Sequence, residues 1–380
     1  MDFMNNHSNR RAFVSSSIAA LAAASGRAAP VQREIRTAMI GIGHRGTALT
    51  GQVLRQENVR VSAICDIDPK ARDAALTLTR RDNPRSFTEY RQVLDLKDVD
   101  AVIVATPCYL HAEIASACLD AGKYVYCEKP LGITPEQVQL ALNASRRSKV
   151  FLQIGQQLRY MPGLREVIRQ IQKDGVLGQT FVIKAQRHST PVRPEAEAAR
   201  PAWYKDVRFS GDLIVENAVH NIDVCNWVAD SRPQSAFGHG KKYFPKPIAA
   251  GTVMMDGFSV EYVYDNDVHL DYSQLYLHPR SLKSLANSQW YIVFGEKGAI
   301  DLARGLLYQH GSDEVRELIT PAVRDAEENA MSEFYACIRE NRQPAADIKV
   351  AAVAALTTIM GREAIYQRRM MTWKELGVTV

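Results

Sequence analysis

Two groups of residues in this chain have the types and spacing for moving a proton and a hydride. The first is Glu128-Lys129-Pro130, where a lysine lies between an acid and a proline. The second is Gly211-Asp212-Leu213-Ile214-Val215-Glu216-Asn217-Ala218-Val219-His220-Asn221-Ile222-Asp223. On one continuous helix Glu216, His220 and Asp223 share a face, because they follow one another at steps of four and three. A histidine oriented by a carboxylate takes a hydroxyl proton as hydride leaves the same carbon. A desolvated lysine, its pKa lowered, serves as a proton relay or as a cation that steadies a developing alkoxide.

Hydride chemistry needs an acceptor, and the stretch from Ile35 to Asp66 supplies a place for one. An apolar run enters Gly41-Ile42-Gly43-His44-Arg45-Gly46, an amphipathic segment runs to Arg55, and a second apolar run, Val59 to Cys65, ends at Asp66. Gly41 permits a tight turn, Gly43 lets backbone approach a pyrophosphate, and Gly46 lets helix and strand pack closely. His44 and Arg45 lie in the turn itself. Asp66, twenty residues past Gly46, is placed to bind both adenosine ribose hydroxyls. The carboxylate favours NAD over NADP, because a 2′-phosphate would meet it.

The elements that position these residues follow in chain order. Strand patterns at Ala101–Ala105 and Lys123–Glu128 alternate with helical patterns at His111–Ala121 and Thr134–Ser148, and a strand from Val150 to Ile154 closes the series. This alternation predicts an α/β Rossmann domain with a doubly wound parallel sheet, its ligand outside the strands' carboxyl ends. Thr106, Pro107, His111, Glu128 and Lys129 fall at that edge. After residue 155 the rhythm changes: a helix, Leu164 to Asp174; a strand, Thr180 to Gln186; a proline-rich connection; a helix, Glu216 to Ala229; then long strands. Phe258, Val260, Tyr262 and Tyr264 alternate onto one face. That is an α+β domain with a large, mostly antiparallel open sheet. An amphipathic helix, Ile348 to Gln367, ends the pattern. The expected divisions are a leader, 1–30; a cofactor domain, 31–154; a substrate domain, 155–345; and a helix with tail, 346–380. Arg159, Tyr160, Trp203, Tyr204, Asn217 and Asp223, with His188 and Arg280 behind them, are the polar or aromatic candidates for binding substrate.

Hydrophobic content of 46% and charged content of 23% are those of a globular chain, and a net charge of +5 with no basic run gives no reason to expect nucleic acid. Asn9-Arg10-Arg11-Ala12-Phe13-Val14, with the alanine-rich stretch behind it, reads as a twin-arginine leader. Its apolar part is too short for a membrane span. The periplasm is the expected destination. The six cysteines are scattered without a Cys-x-x-Cys, and neither a disulfide nor a metal site is expected.

The glycine turn, Ala105-Thr106-Pro107 with His111, Ala121-Gly122-Lys123 through Glu128-Lys129-Pro130, and the Gly211–Asp223 run together resemble the Gfo/Idh/MocA oxidoreductases, the glucose-fructose oxidoreductase and inositol dehydrogenase type, over roughly residues 34–370. The resemblance implies a sugar, glycoside or cyclitol bound between the two domains, Lys129 as the family's lysine and His220 as its acid/base. The family usually has aspartate four residues before that histidine, where this chain has Glu216. It also implies a homo-oligomer built through the C-terminal sheet. An exported member must keep its NAD bound and recycle it in place. It can do so by oxidising one substrate and reducing another, or by transient oxidation, elimination and re-reduction, as in the NAD-dependent α-N-acetylgalactosaminidases. That subgroup carries Thr-His-Gly where this chain has Glu216-Asn217-Ala218. A non-catalytic dinucleotide sensor is the third reading.

Overall fold

The apolar run after residue 34 becomes β1 (Ile35–Ile40), buried everywhere except Arg36, as a strand covered on both faces must be. The computed structural model describes residues 33–282, 289–324 and 330–380, so the leader with Arg10 and Arg11 lies outside the described residues. After β1 come α1 (His44–Val53), β2 (Val59–Cys65), α2 (Pro69–Leu78), β3 (Arg85–Phe87), α3 (Tyr90–Leu94), β4 (Ala101–Val104), α4 (His111–Asp120), β5 (Tyr124–Cys127), α5 (Pro135–Arg147) and β6 (Leu152–Ile154). The helices start where the chain supplies caps: the Asp68 side chain accepts from Lys70 N and that of Thr134 from Gln137 N, each with proline following. The six strands are parallel in the order β3-β2-β1-β4-β5-β6. Strand order reverses between β1 and β4, which opens a crevice at their carboxyl ends.

The second domain begins with α6 (Pro162–Arg169) and β7 (Thr180–His188), two residues longer than expected. Three short helices, α7 (Pro194–Ala198), α8 (Ala202–Lys205) and α9 (Val207–Ser210), occupy the proline-rich connection. The single helix expected from Glu216 is instead two, α10 (Asp212–Glu216) and α11 (Val219–Ala229). The cause is local. Lys129 Nζ donates to the Glu216 carbonyl, the acceptor that a continuous helix would have given to the His220 N–H.

The strands β8 (Pro233–Lys242), β9 (Ile248–Ala249), β10 (Gly257–Tyr264), β11 (His269–Leu275), β12 (Gln289–Gly295), β13 (Gly298–Asp301), β14 (Leu306–Gln309) and β15 (Val315–Glu317) come next. They are followed by α12 (Pro321–Arg324), α13 (Ala330–Glu340), α14 (Ile348–Gln367) and β16 (Met371–Thr372). The ten-stranded sheet runs β15-β14-β13-β12-β7-β11-β10-β8-β16, with β9 beside β8. Its pairs are antiparallel except β7 with β11. Phe258, Val260, Tyr262 and Tyr264 are buried on one face of β10, as the alternation requires.

Residues 330–346 reach back to the first sheet: Ala330 O accepts from Gln153 Nε2 at 2.7 Å, Ala346 O accepts from Ile154 N at 2.9 Å, and the Tyr335 hydroxyl meets Thr37 Oγ1 at 2.9 Å. Phe334 also packs edge-on against Tyr126 and Phe151. One expectation needs correction: α14 is not amphipathic. Ala351, Ala352, Ala354 and Ala355 are buried along with Leu356, Ile359 and Met360, because the helix is packed on several sides and small side chains let its neighbours approach. Among the described residues no helix is long and apolar enough to cross a membrane. The six cysteines are buried free thiols.

Candidate active site

The crevice at the β1/β4 reversal is built from residues the sequence singles out. Gly41 has φ +87°, and a Cβ there would lie 2.7 Å from the backbone of Ala105 and Thr106. A Cβ on Gly46 would lie 2.0 Å from the Gly41 carbonyl oxygen, so α1 can pack on β1 only with glycine at that position. Gly43 faces open space and is the N-cap of α1 without a side-chain cap, which leaves the first-turn N–H groups for an anion. Asp66 Oδ2 accepts from Ile42 N at 2.5 Å and its Oδ1 from Asp68 N at 2.8 Å, so the carboxylate is fixed to the glycine turn with lone pairs to spare for a ribose diol. Thr106 Oγ1 and Arg45 Nη2 are buried without a partner among the described residues, as groups waiting for a ligand would be. These features fit a dinucleotide. His44 is exposed on the first turn, and Arg45 Nε pairs with Glu128 Oε1 at 2.8 Å across the crevice.

The catalytic candidates meet at the same opening. Lys129 Nζ donates to Glu216 Oε1 at 2.7 Å, and the Tyr204 hydroxyl donates to Glu216 Oε2 at 3.0 Å. Burial works against both charges, but the Glu216 carboxylate holds Lys129 above the ordinary lysine range and Lys129 holds Glu216 below the ordinary carboxylate range. Lys129 is thus a fixed cation. The lowered pKa expected for it is corrected by the carboxylate that the fold delivers from the other domain. His220 behaves in the opposite way: burial, then the charges of Lys129, Arg187 and Arg45, push its imidazole well below the usual histidine value. It is neutral at neutral pH, with Nδ1 buried and, among the described residues, unpartnered, so exchange with a bound hydroxyl falls to Nε2.

Comparison with known proteins names the arrangement. The model of the Gfo/Idh/MocA oxidoreductase family, NAD-binding Rossmann fold, matches residues 35–156, and that of the family's C-terminal alpha/beta domain matches residues 169–372. The chain belongs to the Gfo/Idh/MocA oxidoreductase family. Inositol 2-dehydrogenase of Salmonella typhimurium is 29% identical over 224 residues, 58% of this chain and 61% of that protein. A glycosyl hydrolase family 109 protein of Shewanella amazonensis is 36% identical over 120 residues, 30% of this chain and 26% of that protein. This chain therefore spans only part of the length of these curated relatives. The WlbA dehydrogenase of Chromobacterium violaceum, solved with NADH and UDP-GlcNAcA, superposes with a TM-score of 0.76 at 20% identity, covering 90% of this chain and 96% of that one.

In this chain several expected site residues have other work. Glu216 does not orient His220; it is taken by Lys129 and Tyr204, because the helix breaks between the two residues. Asp223 does not face substrate either. Its oxygens accept from Arg159 Nε and Nη2 at 2.8 and 2.9 Å, and Arg159 lies over the Trp227 ring at 5.0 Å, so both expected substrate contacts are a buried pair inside the domain. Tyr160 is 1% exposed, with its hydroxyl accepting from Ala346 N. His111 sits below the crevice: its ring nitrogens contact the carbonyls of Pro130 at 2.7 Å and Thr106 at 2.8 Å, tying the loops after β4 and β5 together. Pro107 precedes the single turn Cys108–Leu110 that leads from β4 into α4. Trp203 packs edge-on against Tyr204 at 5.7 Å, which steadies the Glu216 clamp. Asn217 stays at the cleft, its Oδ1 accepting from Gln274 Nε2 and the Tyr276 hydroxyl, both at 2.9 Å. His188 is bound to Ser273 and stacked on His278, and Arg280 is exposed.

Two residues escaped the sequence reading. Arg187 is in phase with the buried Ile183 and Ala185 of β7, so it faces the cleft, whereas His188 faces away; counting the strand by twos would have found it. Ile67, directly after Asp66, is an apolar side chain 87% exposed beside the predicted ribose site. Asp66→Ser is expected to weaken NAD and strengthen NADP in a nucleotide titration, since the carboxylate binds the diol and repels a phosphate. Tighter NADP than NAD in the parent would contradict that role.

Proposed function

We propose that this chain is an exported oxidoreductase that removes hydride from a secondary hydroxyl of a sugar, glycoside or cyclitol and retains its NAD between turnovers. One observation supports the reading: Lys129, just past the carboxyl end of β5, is paired at 2.7 Å with Glu216 at the end of α10, and His220 lies in the first turn of α11 directly after it. NAD held on the glycine turn and Asp66 would accept the hydride. His220 takes the hydroxyl proton, for which its neutral state suits it. Lys129, held by Glu216 and Tyr204, presents a positive charge to the oxygen as it becomes an alkoxide. The inositol 2-dehydrogenase among the relatives supports a cyclitol or sugar substrate. The partial likeness to a glycosyl hydrolase family 109 protein supports a second reading, transient oxidation with elimination and re-reduction, which uses the same residues and releases no net reduced cofactor.

The test is to denature the purified protein, identify the nucleotide it releases, and follow its reduction in single turnover with a panel of sugars, glycosides and cyclitols. NAD released and reduced by one class of substrate is the expected result; a protein that carries and reduces none contradicts the proposal. Export rests on Arg10 and Arg11. Replacing both with lysine keeps the charge and is expected to trap precursor in the cytoplasm; unchanged processing would show that the leader is misread. Self-association through the large sheet is supported by Phe237, Val263, Phe294 and Tyr308, 39–40% exposed on the face away from α11.

A further inference from the structure

The floor of the cleft is the end of the large sheet where β7 lies between β11 and β12. Register pairs Arg187 with Gln274 on one side and Gln289 on the other. All three project toward α11, since the neighbouring rung pairs Ala185 with Tyr272 and Tyr291 and the Tyr291 hydroxyl is bonded by Asn221 of α11. Several neutral groups around Arg187 are committed to one another. Tyr272 donates to Gln274 Oε1 at 2.9 Å, Gln274 and Tyr276 donate to Asn217, and Gln289 Nε2 reaches the Tyr291 hydroxyl at 3.1 Å.

Nearby charges are committed too: Glu216 is held by Lys129, Glu128 by Arg45, and Arg200 lies 3.5 Å from Glu197. The Arg187 side chain is half-buried and, among the described residues, has neither an ion pair nor a hydrogen bond. A guanidinium in that position loses hydration on entering the cleft and recovers it only when an anion arrives. Its planar fork matches a carboxylate in two-point geometry. A single uncompensated positive charge matches a monoanion better than a doubly charged phosphate.

We propose that Arg187 anchors a carboxylate on the substrate, so that the substrate class is an acidic sugar of the uronate type. The inference rests on the oxidoreductase reading above. It also gives the substrate a hand in its own oxidation, because a carboxylate on Arg187 cancels one of the charges that hold His220 below its ordinary pKa and so strengthens the base once substrate is bound.

The experiment uses the NAD-loaded protein and calorimetric titration with D-glucuronate, D-galacturonate, D-glucose, D-galactose and D-glucose 6-phosphate, on the parent, Arg187→Gln and Arg187→Lys. Thermal unfolding and nucleotide content verify that each variant is folded. At least one uronate is expected to bind the parent tenfold or more better than its neutral counterpart, about the effect of one charge-assisted hydrogen bond. That preference should collapse in Arg187→Gln and persist in part in Arg187→Lys, which keeps the charge but not the fork. Equal binding of neutral sugars by the parent, a preference that survives in Arg187→Gln, or glucose 6-phosphate binding better than both uronates each overturns the proposal. A uronate bound through Arg187 that never reduces NAD upholds the anchor and sinks the oxidoreductase reading, whereas a neutral sugar oxidised equally by parent and Arg187→Gln does the reverse.

Discussion

Replacing His220 with alanine is expected to lower turnover by roughly two to four orders of magnitude, the usual contribution of a positioned proton-transfer group. Lys129→Ala should fall in the same range, with NAD still bound in both variants, since neither side chain is part of the glycine turn or the Asp66 contact. The double variant should be little worse than the worse single one, because groups that act together lose their effect together. Glu216→Gln should be milder for turnover, yet it removes the charge that holds Lys129 protonated, so its effect should grow as pH rises. The pH profile carries a second sign. A base whose pKa lies well below the ordinary histidine value stays neutral through the physiological range, so alcohol oxidation should lose rate only on the acid side, below where a free histidine titrates. Arg187→Gln removes one of the charges responsible, and the acid limb should move upward. Steady-state kinetics across pH on the parent and these five variants checks all of this; a limb at the ordinary histidine position in the parent would contradict the electrostatic reading.

Arg159→Ala is expected to destabilise the fold by about 3–5 kcal/mol, the range for removing one partner of a buried ion pair. Asp223, 1% exposed, would be left as a carboxylate without its guanidinium, and burial already pushes its pKa up. The guanidinium also gives up its place over Trp227. Arg159→Met combined with Asp223→Leu should recover much of the loss, because it removes both charges and leaves apolar volume in place. Urea unfolding of the cofactor-free variants measures both. A single variant as stable as the parent would mean that the pair is no more than a surface contact, and would reopen Arg159 as a substrate ligand.

The glycine turn was legible in the sequence. Gly41, Gly43 and Gly46 lie in one strand-turn-helix segment, and Asp66 reaches back to Ile42 N only 24 residues away, so local sequence encodes most of this geometry, while the close approach of Gly41 to Ala105 and Thr106 is set by the sheet. Lys129 and His220 were legible as reactive groups, but their partners were not. Helical spacing joined Glu216 to His220 and Asp223, whereas the fold breaks that helix by drawing the Glu216 carbonyl to Lys129, 87 residues away in sequence. Arg159 and Tyr160 sit in a polar stretch that reads as cleft, and tertiary packing buries both. The contacts of Ala330 and Ala346 with β6 were not legible, because nothing local to residues 330–346 specifies them. Arg187 was missed for a different reason: its phase along β7 was present in the sequence, but the strand's end was placed one residue short of it.

The proposal that His220 and Lys129 form one hydride-transfer site with bound NAD is tested most directly by single-turnover reduction of the protein's own nucleotide, read from the absorbance of reduced nicotinamide, with a substrate found in the sugar and cyclitol panel. The expected result is a rapid rise in the parent and a rise slowed by at least roughly a hundredfold in His220→Ala and in Lys129→Ala, each with a full complement of NAD. Parental rates in both variants would contradict it.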